Sequence, residues 1–366
     1  MHFLHHSCAF FIVSLDSFCS SNTIMSDSEI LTNPTNSFTQ FDYAFHQKIM
    51  YSGVGIMTIF GLFGNLNLIV LHLRKSSLRT KYGILLTALT TSQSLCIVFE
   101  WTGVIYTLSN SVVYRDGCFK ILWFYVFVHC MQTGLLATVS VDLLFSIIFP
   151  LKHRNANHYY YASFISIPTI VYGLFSDYLG LTFMNHDKIS MCNPPSSLHP
   201  VANTFWYFGA LVAGVITIFS YCWSFGLIYS RSSCNHDEVR TFNIERKAMK
   251  SLSVMLIVFL VTRYIGTIVA NLLRFAGFDS AVITLYQNYN VLFAFLCYSQ
   301  NCYVAYARSA EYRRLLWEQY TMLHNKLFGC CCFLDSADVL FGGETSTKFL
   351  NVARRTTITH HAFHAY

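Results

Sequence analysis

Long apolar runs, each interrupted by a short polar or basic stretch, set the rhythm of this 366-residue chain. A membrane helix needs roughly 20 mostly apolar residues. Seven runs qualify, at about 49–73, 82–108, 118–149, 159–183, 204–230, 251–275 and 284–307. Several exceed the minimum, so they tilt or extend beyond the bilayer. None shows the ten-residue alternation of a membrane β-barrel strand. A spanning segment must satisfy its own backbone, which selects helices. The pattern therefore predicts an all-α integral membrane protein built as a seven-transmembrane-helix bundle, in contact with membrane lipid. It divides the chain into an N-terminal segment 1–48, a membrane domain 49–307 and a tail 308–366. Residues 20–40 are polar and read as flexible.

Composition agrees. The chain is 54% hydrophobic and only 11% charged, against about 25% charged residues in soluble domains. The net charge of +6 does not indicate a nucleic-acid partner, because the basic residues are scattered between the apolar runs. Their placement is topological. Arg74, Lys75, Arg79 and Lys81 follow the first run, and Lys152 and Arg154 the third. Arg231, Arg240, Arg246, Lys247 and Lys250 follow the fifth, and seven more lie in the tail. Those segments hold most of the 24 basic residues. The positive-inside rule then puts the N-terminus outside and the C-terminus in the cytoplasm, as expected of a multi-pass plasma-membrane protein. The apolar stretch 7–15 is too short to span, and no Lys or Arg precedes it, so it makes a poor signal peptide.

Of the 13 cysteines, Cys118 and Cys192 are the two that fall in the outer loops or at their helix ends. The exterior is oxidising, so a disulfide between them is expected. Two free thiols, or pairing with Cys8 or Cys19, are the alternatives. Cys330, Cys331 and Cys332 follow an amphipathic stretch beyond the last run and are candidates for S-palmitoylation. Their adjacency suits a tetrahedral zinc site poorly, and no metal or cofactor is expected. No H-E-x-x-H, paired-Asp or nucleophile-elbow pattern appears, so no catalytic residue is assigned and an enzyme is disfavoured. A transporter is disfavoured too, since the early and late spans show no repeat.

Charges inside spans are costly and face a cavity or a partner. Four stand out: Glu100, Asp177, Arg263 and Asp142. Arg263 lies near mid-depth and needs a partner, for which Glu100 is one candidate. Asp142 lies 24 residues after Cys118, roughly 36 Å along a helix. That exceeds the roughly 30 Å apolar core, so Asp142 belongs at the cytoplasmic edge, within reach of water or inner-loop basic residues. On the third span Tyr125, His129 and Gln132 recur at i, i+4 and i+7 and share a face. With Glu100, Arg263 and, on the seventh span, Tyr286 and Tyr289, they form the candidate ligand-binding set.

Particular motifs add a family resemblance. Gly64-Asn65, the "LRTK" of 78–81, Cys118, Asp142 followed by Pro150, and "ERKAMKSLSVMLIVFL" at 245–260 stand in the order found in rhodopsin-like G-protein-coupled receptors. The stretch "SQNCYVAYARSAEYRRLL" at 299–316 resembles the close of the seventh helix and the short amphipathic eighth helix of nematode serpentine chemoreceptors of the srsx class. The resemblance covers about 49–320. It implies a chemosensory receptor that takes a small-molecule or peptide ligand in the outer bundle and signals through a heterotrimeric G protein. Asp142, Leu143, Pro150, Arg246, Lys250 and Arg313 would face that G protein.

The departures are specific. Leu143 stands in place of the Arg of Asp-Arg-Tyr, so Asp142 resembles half of a switch whose other half is gone. A receptor-like protein that does not couple is therefore the alternative reading. Gln93 replaces a sodium-binding Asp. Asn301-Cys302-Tyr303-Val304-Ala305 replaces Asn-Pro-x-x-Tyr. Tyr125 occupies the position of the amine-binding Asp, which disfavours an amine salt bridge there.

Overall fold

The computed structural model describes residues 37–109, 113–189, 192–232, 254, 257–258, 269, 272–273, 276–278 and 280–328. The long helices are α1 (Ser37–Arg74), α2 (Lys81–Leu108), α3 (Arg115–Ile148), α5 (His158–Thr182), α7 (Pro200–Ser232) and α8 (Ser280–Arg308). Shorter pieces join them: the helical turns α4 (Pro150–Asn155) and α6 (Pro194–Ser197), and the two-residue strands β1 (Val113–Tyr114) and β2 (Lys188–Ile189). Helix α9 (Ala310–Phe328) follows α8 after a break at Ser309. The predicted sixth span, with Arg263, lies almost wholly outside the described residues, as do Arg246, Lys250 and Cys330 to Cys332.

Segments of five helices, α1, α2, α3, α5 and α7, are long and apolar enough to cross a membrane. Helix α8 is continuous over the predicted seventh span. The predicted boundaries fall close to the observed ones, with one clear difference. Helix α1 starts at Ser37, not near residue 49, so Ser37–Gln40 is helical where the polar composition suggested flexible chain. Leaving the apolar layer does not end a helix, and no Pro or Gly intervenes between Ser37 and Gly53 to break it.

Helix α3 is the hub. It packs along α2, α5 and α7, while α1 packs on α2 and α8. Its buried face includes Phe119, Leu122, Tyr125, Val126, His129, Leu135 and Val139. Close approach between α3 and α5 depends on small residues. A Cβ on Gly134 would sit 2.7 Å from the Thr169 methyl, and one on Gly180 only 2.4 Å from the Phe119 ring. The opposite face of α5 carries Tyr160, Phe164, Leu174 and Tyr178, all exposed, as suits a surface that meets hydrocarbon rather than water.

By spatial clustering the chain divides into two units, Met1–Arg313 and Arg314–Tyr366. The described part of the second is the remainder of α9. There Trp317, Tyr320, Met322 and Leu323 are exposed apolar residues, and an Arg314–Glu318 pair lies along the helix at 3.8 Å.

Overpacking a tight core seam costs about 1–3 kcal/mol. Gly180→Leu is therefore expected to lower the thermal midpoint of the purified protein and its yield in membranes. Gly117→Ala, whose Cβ would meet nothing within 4 Å, should change neither. Equal behaviour of the two variants in a detergent melting experiment would contradict the close α3–α5 packing.

Candidate functional site: a polar face within the bundle and its two ends

The Tyr125, His129 and Gln132 stripe points into the bundle, and all three residues are 3% exposed or less. Tyr125 donates its hydroxyl proton to Glu100 Oε1 on α2. The Phe99 ring stacks parallel to Tyr125, with centroids 5.8 Å apart. His129 lies edge-on to Tyr125 at 6.2 Å and packs against Trp206 of α7 at 4.8 Å. A carboxylate, a phenol, an imidazole and an indole thus link α2, α3 and α7 in sequence. Phe99 and Trp206 were not singled out from the sequence. Both are aromatics in apolar runs, and only the rotation of their helices distinguishes them from lipid-facing neighbours.

Tyr289 takes a different direction. Its hydroxyl pairs with His46 Nδ1 at 2.9 Å, and the two rings meet edge-on at 5.9 Å. It ties α8 to α1 rather than joining the α3 stripe. Tyr286 is half-buried one turn earlier on the same helix. Closer to the basic end, Asn301 Nδ2 donates to Gln93 Oε1 at 2.7 Å and to Thr90 Oγ1 at 3.0 Å. Asn65 Nδ2 donates to the Tyr298 carbonyl at 2.9 Å. Neutral amides therefore join α1, α2 and α8.

The disulfide end carries a braced cap. Cys118 and Cys192 are bonded, with Cα atoms 5.6 Å apart. Strands β1 and β2 pair antiparallel, Val113 opposite Ile189 and Tyr114 opposite Lys188. Arg115, at the start of α3, donates to Asn185 Oδ1 at 2.7 Å, to Asp187 Oδ2 at 2.8 Å and to the Ser196 carbonyl at 3.3 Å. Tyr114 and His186 stack at 4.3 Å. The sequence marked Arg115 only as one of the few outer basic residues.

At the basic end, Asp142 is 3% exposed, and of the two expected kinds of partner it meets the inner loop rather than water. Its partner is His153 of α4, with Nε2 2.9 Å from Oδ1. Tyr161 of α5 meets the His153 ring edge-on at 5.3 Å, and the Lys81 ammonium sits 5.1 Å over the Tyr161 ring. The charge is enclosed because Pro150 starts α4 directly after α3 and folds the loop back beneath Asp142. Leu143 is buried, and Pro150 is exposed at the first turn of α4. Arg313 is exposed and donates to the Ala307 carbonyl at 3.2 Å, near the end of α8. Beside it, Tyr312 hydrogen-bonds His72 at 2.9 Å, and burial pushes the Tyr312 phenol above its usual range. It therefore stays a neutral hydroxyl.

Residues 58–320 match the family of serpentine type 7TM GPCR chemoreceptors named Srsx. That match spans more than half of the chain and includes all of α2 to α8. The chain belongs to this family. No curated protein matches it.

This Srsx receptor is thus a seven-helix chemoreceptor-type G-protein-coupled receptor and a multi-pass membrane protein. Its Asp142 pairs with the following loop, and around Gln93 the inner network closes through amide hydrogen bonds.

Leaving a buried hydrogen-bonding group without its partner costs about 1–3 kcal/mol. His153→Ala is therefore expected to lower the melting temperature of the receptor markedly. Combining it with Asp142→Asn should recover much of the loss. If His153→Ala melts like wild type, the Asp142–His153 pair is not stabilising.

Proposed function

We propose that this Srsx receptor sits in the plasma membrane with its N-terminus outside, takes a small extracellular ligand in the outer half of the bundle, and signals to a heterotrimeric G protein. The observation that carries this reading is the linked set Glu100–Tyr125–His129–Trp206. It spans α2, α3 and α7 and is built from groups able to donate or accept a hydrogen bond or to stack. A ligand that prefers one arrangement of these helices shifts the population toward it. Movement at the basic end would then open a surface bordered by α4, Arg246, Lys250 and Arg313. Glu100, Tyr125, His129, Gln132, Arg263 and Tyr286 are the proposed ligand contacts, whereas Tyr289 acts through its bond to His46. Cys330 to Cys332 are the proposed lipidation sites.

The Lys and Arg asymmetry supports the orientation. An epitope placed before Ser37 should be stained on intact cells, and one placed after Phe328 only after permeabilisation. The reverse pattern would overturn the orientation.

A second reading has its own support. Leu143 takes the position of an Arg that contributes to G-protein contact in related receptors, so this chain could belong to the membrane yet not couple. The deciding experiment is a screen of small molecules and short peptides with a Gα–Gβγ dissociation readout, run on wild type and Leu143→Arg. Ligand-dependent dissociation by wild type, increased or unchanged by the added Arg, is the expected result. Silence of wild type with every Gα class, relieved by Leu143→Arg, would favour the non-coupling reading instead.

A further inference from the structure

Asp177 is not used by the arrangement described so far. It lies on α5, on the face that packs against α3, between Gly173 and Gly180. It is 7% exposed, and its Oδ1 has no hydrogen-bond partner. No Lys or Arg among the described residues forms an ion pair with it. An unpaired carboxyl inside an apolar layer is among the costlier groups a chain can carry.

Two of the neighbouring donors are already engaged. Ser176 donates to the Tyr172 carbonyl at 2.8 Å, and Tyr172 donates to the Trp206 carbonyl at 2.5 Å. The Cys130 thiol is turned to Ser176 Oγ at 3.5 Å, within electrostatic reach of Asp177. Asn203 adds a second unpartnered acceptor, its Oδ1. It lies three residues before Trp206 and so on the same face of α7. The junction of α3, α5 and α7 thus carries two acceptor oxygens without a partner, Asp177 Oδ1 and Asn203 Oδ1, with aromatic rings around them. Trp206 is in contact with His129 of the stripe on one side and packs in the apolar cluster with Cys130 on the other.

We propose that Asp177 is the anionic subsite of the receptor for a ligand bearing a protonated amine, with Trp206 and Tyr172 as its aromatic walls. An ammonium group supplies the missing donors and charge, and indole and phenol faces attract cations. An anionic ligand group would meet a carboxylate with no compensating cation in this set. The salt bridge that Tyr125 precludes on α3 is thereby supplied from α5. The proposal rests on the outer-bundle ligand reading above and specifies the ligand class for that site.

Cys130 is a native reporter for the test. Full-length receptor in native-like membranes is treated with a permanently cationic thiol reagent, methanethiosulfonate ethyltrimethylammonium, or with its anionic counterpart, methanethiosulfonate ethylsulfonate. Modification is read at the Cys130 peptide by mass spectrometry, with Cys130→Ser as the blank. The cationic reagent should react at least about tenfold faster, as attraction by a poorly solvated charge requires. Millimolar phenethylammonium should slow it, and the neutral analogue 2-phenylethanol should not. Asp177→Asn should remove the charge preference, and Asp177→Glu should keep it. Equal rates for the two reagents, unchanged in Asp177→Asn, would overturn the amine proposal while leaving an open outer pocket and the receptor reading in place. Absence of reaction with either reagent, together with no saturable binding of radiolabelled phenethylammonium to the same membranes, would overturn the proposal by showing no route to this junction. The wild-type rate ratio and the phenethylammonium effect decide the matter even if the Asn variant fails to reach the membrane.

Discussion

Every polar group carried into the apolar layer must find its partner within the protein, and in this receptor most of that demand falls on α3. The helix is packed on three sides, so its polar side chains cannot turn toward lipid headgroups. Tyr125 is answered from α2 by Glu100, and Asp142 from the segment that immediately follows, while the His129 ring packs on Trp206 of α7. The position of α2 against α3 is therefore fixed by a polar contact as well as by apolar packing. Asp177 stands apart from this pattern, since its Oδ1 is left without a partner.

The membrane architecture was legible because hydropathy and span length are properties of consecutive residues. The limits of α2, α3, α5 and α8 fall within a few residues of those read from composition. Cys118 and Cys192 could be paired because the outer loops offered few competitors. The shared face of Tyr125, His129 and Gln132 followed from helical periodicity alone. What could not be read was rotation and reach between helices. Glu100 meets Tyr125, while Arg263 lies outside the described residues, and Tyr289, placed with the stripe by sequence, turns to His46. His153 carries no fixed charge and so adds nothing to the positive-inside pattern, yet it sits between Lys152 and Arg154 and makes the contact. Helix α1 extended further than its apolar run because a helix outside the membrane is governed by local propensity, not hydropathy.

The two ends of the bundle are built differently. At the disulfide end a covalent bond, a two-residue sheet and three hydrogen bonds from Arg115 converge on one short stretch. Together they tie 185–189 and 192–196 to the start of α3. At the basic end the ties are individual side-chain contacts: Asp142 with His153, His72 with Tyr312, and Arg313 with the Ala307 carbonyl. A single side-chain contact opens at far lower cost than a cross-linked cap, so local fluctuation is expected at the basic end first.

The Asp142–His153 contact joins residues separated by 11 positions, within one continuous stretch from α3 into α4. Both partners travel together whenever α3 moves as a unit. A contact that is equally intact in two conformations biases neither of them. Beside the apolar Leu143, the carboxylate acts as a staple that ties its own loop to the end of α3.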